Sequence, residues 1–144
     1  MLLVDTNVIS EARKGRRADP GVIAFWKDAS NNNRPIFLAA VTVGELRRGV
    51  ELIRHRGDRQ QAEVLEQWLE QWLEQVLHDY GDRVLALDSD AAQVWGRLRV
   101  PDPQHAIDKQ IAAIAMLHDL TVVTRNVVNF ANTGVRLLNP FTGG

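Results

Sequence analysis

Met1-Leu2-Leu3-Val4-Asp5-Thr6-Asn7-Val8-Ile9-Ser10 opens the chain. A compact apolar run stops at an acid, and the residues that follow are good helix starters. A run apolar on both faces suits a strand buried in a parallel sheet. Similar runs recur at Pro35-Ile36-Phe37-Leu38, Arg83-Val84-Leu85-Ala86-Leu87, Leu120-Thr121-Val122-Val123-Thr124 and Val135-Arg136-Leu137-Leu138. Helical patterning fills the intervals, at about 6–14, 20–30, 42–56, 59–79, 89–99 and 103–118, with a short helix after 126. Strands alternating with helices predict an α/β fold around a central parallel sheet. With 144 residues and no linker or low-complexity tract, a single domain spans 1–144.

Composition narrows the function classes. Cysteine is absent, which excludes disulfides and thiolate metal sites and suits a reducing cytoplasm. The histidines His55, His78, His105 and His118 have no zinc-site spacing. No apolar stretch is long enough for a bilayer, and the opening reads as folded structure rather than a signal peptide. A net charge of −1 argues against a uniformly basic nucleic-acid binder. The basic residues nevertheless cluster, as Arg13, Lys14, Arg16 and Arg17 and as Arg47, Arg48, Arg54, His55 and Arg56. Taken alone, each cluster reads first as a solvated face, and only a place near the site acids, as for the cluster after the first helix, turns it into a contact for a phosphate backbone.

In an open parallel sheet, ligands gather beyond the carboxyl ends of the strands. Asp5 falls there, either as the N-cap of the first helix or as a site acid. Glu45 closes Thr42-Val43-Gly44-Glu45, a capping-box pattern that explains it structurally without excluding a role in the crevice. Asp108 lies at the border of a helix whose buried stripe is expected to be Ile107, Ile111 and Ile114. A carboxylate there calls for a metal or a cationic partner. Thr124-Arg125-Asn126 follows a later strand and lands at the same edge. Asp88 and Asp90 are better explained by capping. Clustered carboxylates without Cys or paired His select Mg²⁺ or Mn²⁺, which suits phosphodiester cleavage by a metal-activated water.

The repeat Glu66-Gln67-Trp68-Leu69, Glu70-Gln71-Trp72-Leu73, Glu74-Gln75-Val76-Leu77 is helical. Leu65, Trp68, Leu69, Trp72, Leu73 and Val76 share one side, which faces either the core or a partner.

Taken in order, Leu3-Val4-Asp5-Thr6-Asn7-Val8-Ile9-Ser10, Val43-Gly44-Glu45-Leu46-Arg47-Arg48-Gly49, Asp108 with Ile111-Ala112-Ala113-Ile114-Ala115, Val123-Thr124-Arg125-Asn126 and Asn139-Pro140-Phe141 resemble the PIN-domain family. The likeness is to its VapC-type and FitB-like toxins. It implies a three-layer α/β/α sandwich, Mg²⁺- or Mn²⁺-dependent cleavage of RNA, and homodimers inhibited by a cognate antitoxin within a toxin–antitoxin hetero-oligomer. It carries catalytic and metal-binding roles onto Asp5, Glu45 and Asp108. Thr6, Asn7, Thr124 and Asn126 become candidates to orient those acids, and Arg13, Lys14, Arg16 and Arg17 to hold RNA. Many relatives carry an aspartate after the Thr-Arg, where this chain has Asn126 and Asn129. That departure keeps a second reading open, a catalytically weakened PIN-like module that binds RNA or protein.

Overall fold

A computed structural model describes residues 1–56 and 59–143. Five strands, β1 (Leu2–Val4), β2 (Ile36–Ala39), β3 (Val84–Leu85), β4 (Thr121–Val123) and β5 (Leu137–Leu138), form one sheet in the order β3-β2-β1-β4-β5. Every pairing is parallel, with Leu3 of β1 opposite Phe37 on one side and Val122 on the other. The helices are α1 (Thr6–Ala12), α2 (Pro20–Asn31), α3 (Ala40–Arg56), α4 (Arg59–Tyr80), α5 (Ser89–Leu98) and α6 (Ala106–Leu117).

Successive strand residues point to opposite faces, so β1 feeds two cores. Leu2 and Val4 join Val8, Val22, Leu46, Val50, Leu69 and Leu73 under α1–α4. Leu3 joins Ala91, Ile111, Ile114, Ala115 and Phe130 beneath α5, α6 and a 3-10 turn at Val127–Phe130. The result is the expected α/β/α sandwich. Among the described residues, no helix is long and apolar enough to cross a membrane.

Several boundaries differ from expectation for local reasons. The first helix stops at Ala12, because Gly15 takes φ +60° and turns the chain into a 3-10 turn, Gly15–Arg17. Helix α6 starts at Ala106, because Pro101 and Pro103 precede it and His105 is left-handed at φ +56°. Ile107, expected in the buried stripe, is instead 44% exposed, while Lys109 is buried on the same helix. The Lys109 ammonium donates to the Asp102 carbonyl at 2.5 Å and lies 3.6 Å from the Asp102 carboxylate. It thereby ties down the loop before α6, and its charge keeps a partner despite burial.

The chain's ending is fixed with equal specificity. Asp19 caps α2 by accepting from the Gly21 amide, and the same carboxylate accepts from the Thr142 amide and hydroxyl. A Cβ on Gly21 would sit 2.1 Å from the Pro140 carbonyl oxygen, so glycine lets the tail cross the start of α2.

The Glu-Gln-Trp-Leu repeat divides its apolar side between two environments. Leu69, Leu73 and Val76 are buried, and Trp72 packs against them. Leu65 and Trp68, nearer the start of α4, remain 43% and 46% exposed. On the other flank of α4, Glu66 and Glu70 hold Arg54 of α3, and Glu70 also receives Arg47 through both terminal guanidinium nitrogens. Arg47 and Arg54 therefore bind α3 to α4.

A candidate acidic site at the centre of the sheet

The strand order places β1 between β2 and β4, where the winding of the sheet reverses. That reversal opens a crevice beyond the carboxyl ends of β1 and β4. Asp5 leaves β1 into this crevice and Thr124 leaves β4 into it. The Thr124 hydroxyl donates to Asp5 Oδ2 at 2.8 Å and accepts from the Asn126 amide at 3.0 Å. Asn7 Nδ2 donates to the same Asp5 oxygen at 3.3 Å, and Asn7 Oδ1 accepts from the Arg125 amide at 3.1 Å. Thr6 contributes its amide, which donates to Asp5 Oδ1 at 2.8 Å. Asp5 is thus the N-cap of α1, and it also faces the crevice.

The crevice is a cleft of about 590 Å³ whose walls include Asp5, Glu45, Asp108 and Asn126, with His105 and Ile107 at the side. Glu45 reaches it from α3, and here the capping-box expectation fails. Helix α3 begins at Ala40, so Thr42 lies within its first turn, fully buried and with no partner for its hydroxyl among the described residues. A Thr inside the helix cannot act as the N-cap of that pattern. Glu45 makes no hydrogen bond or ion pair among the described residues, and the cleft is what it faces. Asp88 does cap α5, accepting from the Ala91 amide at 2.9 Å, whereas Asp90 lies inside that helix.

Asp108, in the first turn of α6, accepts from Asn129 Nδ2 at 3.0 Å. Asn129 thus departs from Asn126 in role. Asn126 lines the cleft, whereas Asn129 holds a carboxylate from outside it. Sequence reasoning did not separate the two, because only the 3-10 turn at Val127–Phe130 turns Asn129 toward α6.

Electrostatics set Asp5 apart. Burial pushes its carboxyl above the usual aspartate range, against the lowering effect of the bonds from Thr124 and Thr6, and the nearby Asp108 charge pushes it further up. Among the described residues no Lys, Arg or His lies in ion-pair range of Asp5, Glu45 or Asp108. Nor do three Asp, Glu or His side chains there converge closely enough to ligate an ion as they stand. The donor set still fits a hard divalent cation. All its donors are oxygens, Asp5 Oδ1 accepts only the Thr6 amide and keeps a lone pair free, and among the described residues the buried charge has no counter-ion.

Of the basic residues, Lys14 pairs with Glu11 at 2.8 Å, and the Arg13 guanidinium lies 5.3 Å from the Trp72 ring. Arg16 and Arg17 are exposed on the 3-10 turn after α1. None of these four lines the acidic cleft itself.

Residues 2–135 match the model of the PIN domain. Toxin FitB of Neisseria gonorrhoeae is 36% identical over 148 residues, covering 98% of this chain and 99% of that protein. VapC ribonuclease Y4jK of Sinorhizobium fredii is 34% identical over 146 residues, covering 98% of each. The crystal structure of FitAcB from Neisseria gonorrhoeae superposes with a TM-score of 0.79 at 33% identity, covering 97% of this chain and 98% of that one.

Proposed function

This chain belongs to the PIN-domain family, and from that premise we propose that it is a Mg²⁺- or Mn²⁺-dependent endoribonuclease acting in the cytoplasm as the toxin of a toxin–antitoxin pair. The observation that carries the reading is Asp5, buried with a raised carboxyl pKa beside Asp108 and lacking any cationic partner among the described residues. A folded protein keeps such a charge when something outside the chain compensates it. Asp5 and Asp108 are the residues that would hold the cation, with Glu45 facing them across the cleft. A bound Mg²⁺ or Mn²⁺ supplies acidity to a water molecule and offsets charge developing on the phosphate. Thr124, Asn7 and the Thr6 amide fix the orientation of Asp5, and Asn129 fixes that of Asp108. Glu45, free of other partners in the described structure, is available to orient and deprotonate the attacking water.

The test is cleavage of an end-labelled single-stranded RNA by the purified chain. Cleavage is expected with Mg²⁺ or Mn²⁺ and absent in EDTA. Undiminished cleavage in EDTA, or none under any metal condition, would overturn the reading and favour a binding module. Glu45→Gln sharpens the test, since Glu45 caps nothing. Its Tm should stay within about 1 °C of the parent's, as for a substitution outside any stabilising contact. Its cleavage rate should fall by about 10²–10⁴, the usual contribution of a general base. A stable, fully active Glu45→Gln protein would remove Glu45 from the chemistry.

The antitoxin partner rests on the relationship to the FitB toxin. Homodimerisation is supported by Val64 and Trp68, exposed one turn apart on α4. Light scattering should give twice the monomer mass for the parent and a shift toward monomer for Trp68→Ala. A monomeric parent sinks the homodimer.

A further inference from the structure

A second cavity, of about 370 Å³, adjoins the acidic cleft between α1, α3 and α4 and shares Thr6 and Glu45 with it. We propose that this cavity, through Arg13 and Arg48, binds the phosphodiester backbone of the RNA strand next to the bond being cleaved. The proposal rests on the ribonuclease reading and extends it to the path of the substrate.

Arg48 follows Glu45 by three positions on α3, so the guanidinium and the carboxylate occupy neighbouring places on one helix surface. Of the arginines on α3 described above, Arg47 and Arg54 are held by Glu51, Glu66 and Glu70. Arg48 has no ion pair among the described residues and lines the cavity. Arg13 enters from the end of α1, likewise without an ion pair there. Its guanidinium lies over the Trp72 ring, which restricts the side chain before any ligand arrives. Stacking on one face leaves the edge donors of a guanidinium available for phosphate oxygens.

The remaining lining matches the rest of a nucleotide. The Thr6 and Ser10 side chains offer hydroxyls, and Ile53, Leu65 and Leu69 provide apolar surface. A Cβ on Gly49 would meet nothing within 4 Å, so the entrance is open at that point. Guanidiniums, hydroxyls and apolar surface in one recess fit phosphate, sugar and base. The shared wall of Thr6 and Glu45 makes the recess continuous with the carboxylates that would act on the neighbouring phosphate.

Counter-ion release gives a direct readout, because each phosphate neutralised on a single strand steepens the salt dependence of binding by about 0.7 in log–log slope. The probe is a 5′-labelled oligouridylate dodecamer in EDTA, followed by fluorescence anisotropy over a range of salt concentrations. Arg13→Gln and Arg48→Gln should each weaken binding several-fold at low salt and flatten the slope by about 0.7. Arg13→Lys keeps the charge and should retain the slope. Arg136→Gln alters a guanidinium paired with Asp119 at the opposite edge of the sheet, and should change neither quantity. Circular dichroism confirms that each variant is folded. Metal-dependent cleavage by the parent with unchanged slopes in both Gln variants would overturn the phosphate site alone. A parent that neither binds nor cleaves RNA would overturn the ribonuclease reading and this site with it. Displacement of the RNA by an acidic peptide as readily as by unlabelled oligonucleotide would give the cavity to a protein segment and overturn it too.

Discussion

Asp5→Asn is expected to abolish metal-dependent cleavage and, in metal-free buffer, to raise the Tm. The activity loss should be on the order of 10³, the scale for removing one preorganised electrostatic partner from a reaction centre. Asp108→Asn should lose activity to a similar degree. The stability gain follows from the position of Asp5. Its carboxyl is shifted above the usual aspartate value by burial and by Asp108, so the folded protein holds the proton more tightly than the unfolded chain does. Such a group favours folding below its unfolded pKa, and that contribution is lost as pH rises through the folded value. At neutral pH and without a cation, Asp5 therefore opposes folding.

An asparagine there keeps an oxygen for the Thr6 amide and removes the buried charge, and that relief is set against the two bonds that Asp5 Oδ2 accepts from Thr124 and Asn7 and an amide nitrogen cannot. The Tm should rise by about 3 °C, the shift produced by a change on the order of 1 kcal/mol in a domain of this size. The gain should shrink as the buffer is acidified toward the ordinary carboxylate range, where the parent's Asp5 is protonated too. Saturating Mn²⁺ should reverse the ranking. At one hundred times its Kd a ligand stabilises the protein that binds it by about 2.7 kcal/mol, and the variant lacks the charge that binds it. Scanning calorimetry of both proteins with and without Mn²⁺ checks every part of this. A parent indifferent to Mn²⁺, or a variant less stable than the parent in EDTA at neutral pH, would mean that Asp5 is satisfied as it stands.

The sheet and the position of Asp5 are legible in the sequence because both depend on local pattern. An apolar run ending in an acid and a capping residue describes a strand's carboxyl end in few residues, and β1 is bounded accordingly. Glu45 is legible as a residue of interest but not in its role, since Thr42-x-x-Glu45 imitates a capping box. Only the helix start at Ala40, set where β2 runs directly into α3, removes that explanation. Ile107 misleads for a related reason. Its spacing to Ile111 marks a core stripe, yet the first turn of α6 borders the cleft, and there an isoleucine lines the wall. Lys109 and Asn129 carry no local signal at all. Each acts through a partner, Asp102 or Asp108, that only the turns around α6 bring within reach. Pattern reveals which residues lie on a face, and the loops decide what that face meets.

The two asparagines after Thr124 should separate sharply under Mn²⁺ titration. Asn129 donates to Asp108 from outside the cleft, so Asn129→Ala frees Asp108 to rotate and removes the hydrogen bond that supports it as a ligand. Loss of such a supporting partner typically lowers metal affinity 10- to 100-fold, and that is the expected weakening. Asn126 lines the cleft itself, and its backbone amide is already fixed by the Thr124 hydroxyl. Asn126→Asp therefore keeps its place and adds a carboxylate among Asp5, Glu45 and Asp108. Those acids supply enough charge for one divalent cation and leave a second under-neutralised, so the parent should show one tight Mn²⁺ site. The added charge in Asn126→Asp should bring a second cation into the measurable range, whereas Asn129→Ala should weaken the first without adding another. Isothermal titration of the parent and both variants decides the matter. Two tight sites in the parent, or equal stoichiometry in parent and Asn126→Asp, would show that charge at position 126 does not limit the site. Unaltered affinity in Asn129→Ala would release Asp108 from its dependence on the amide.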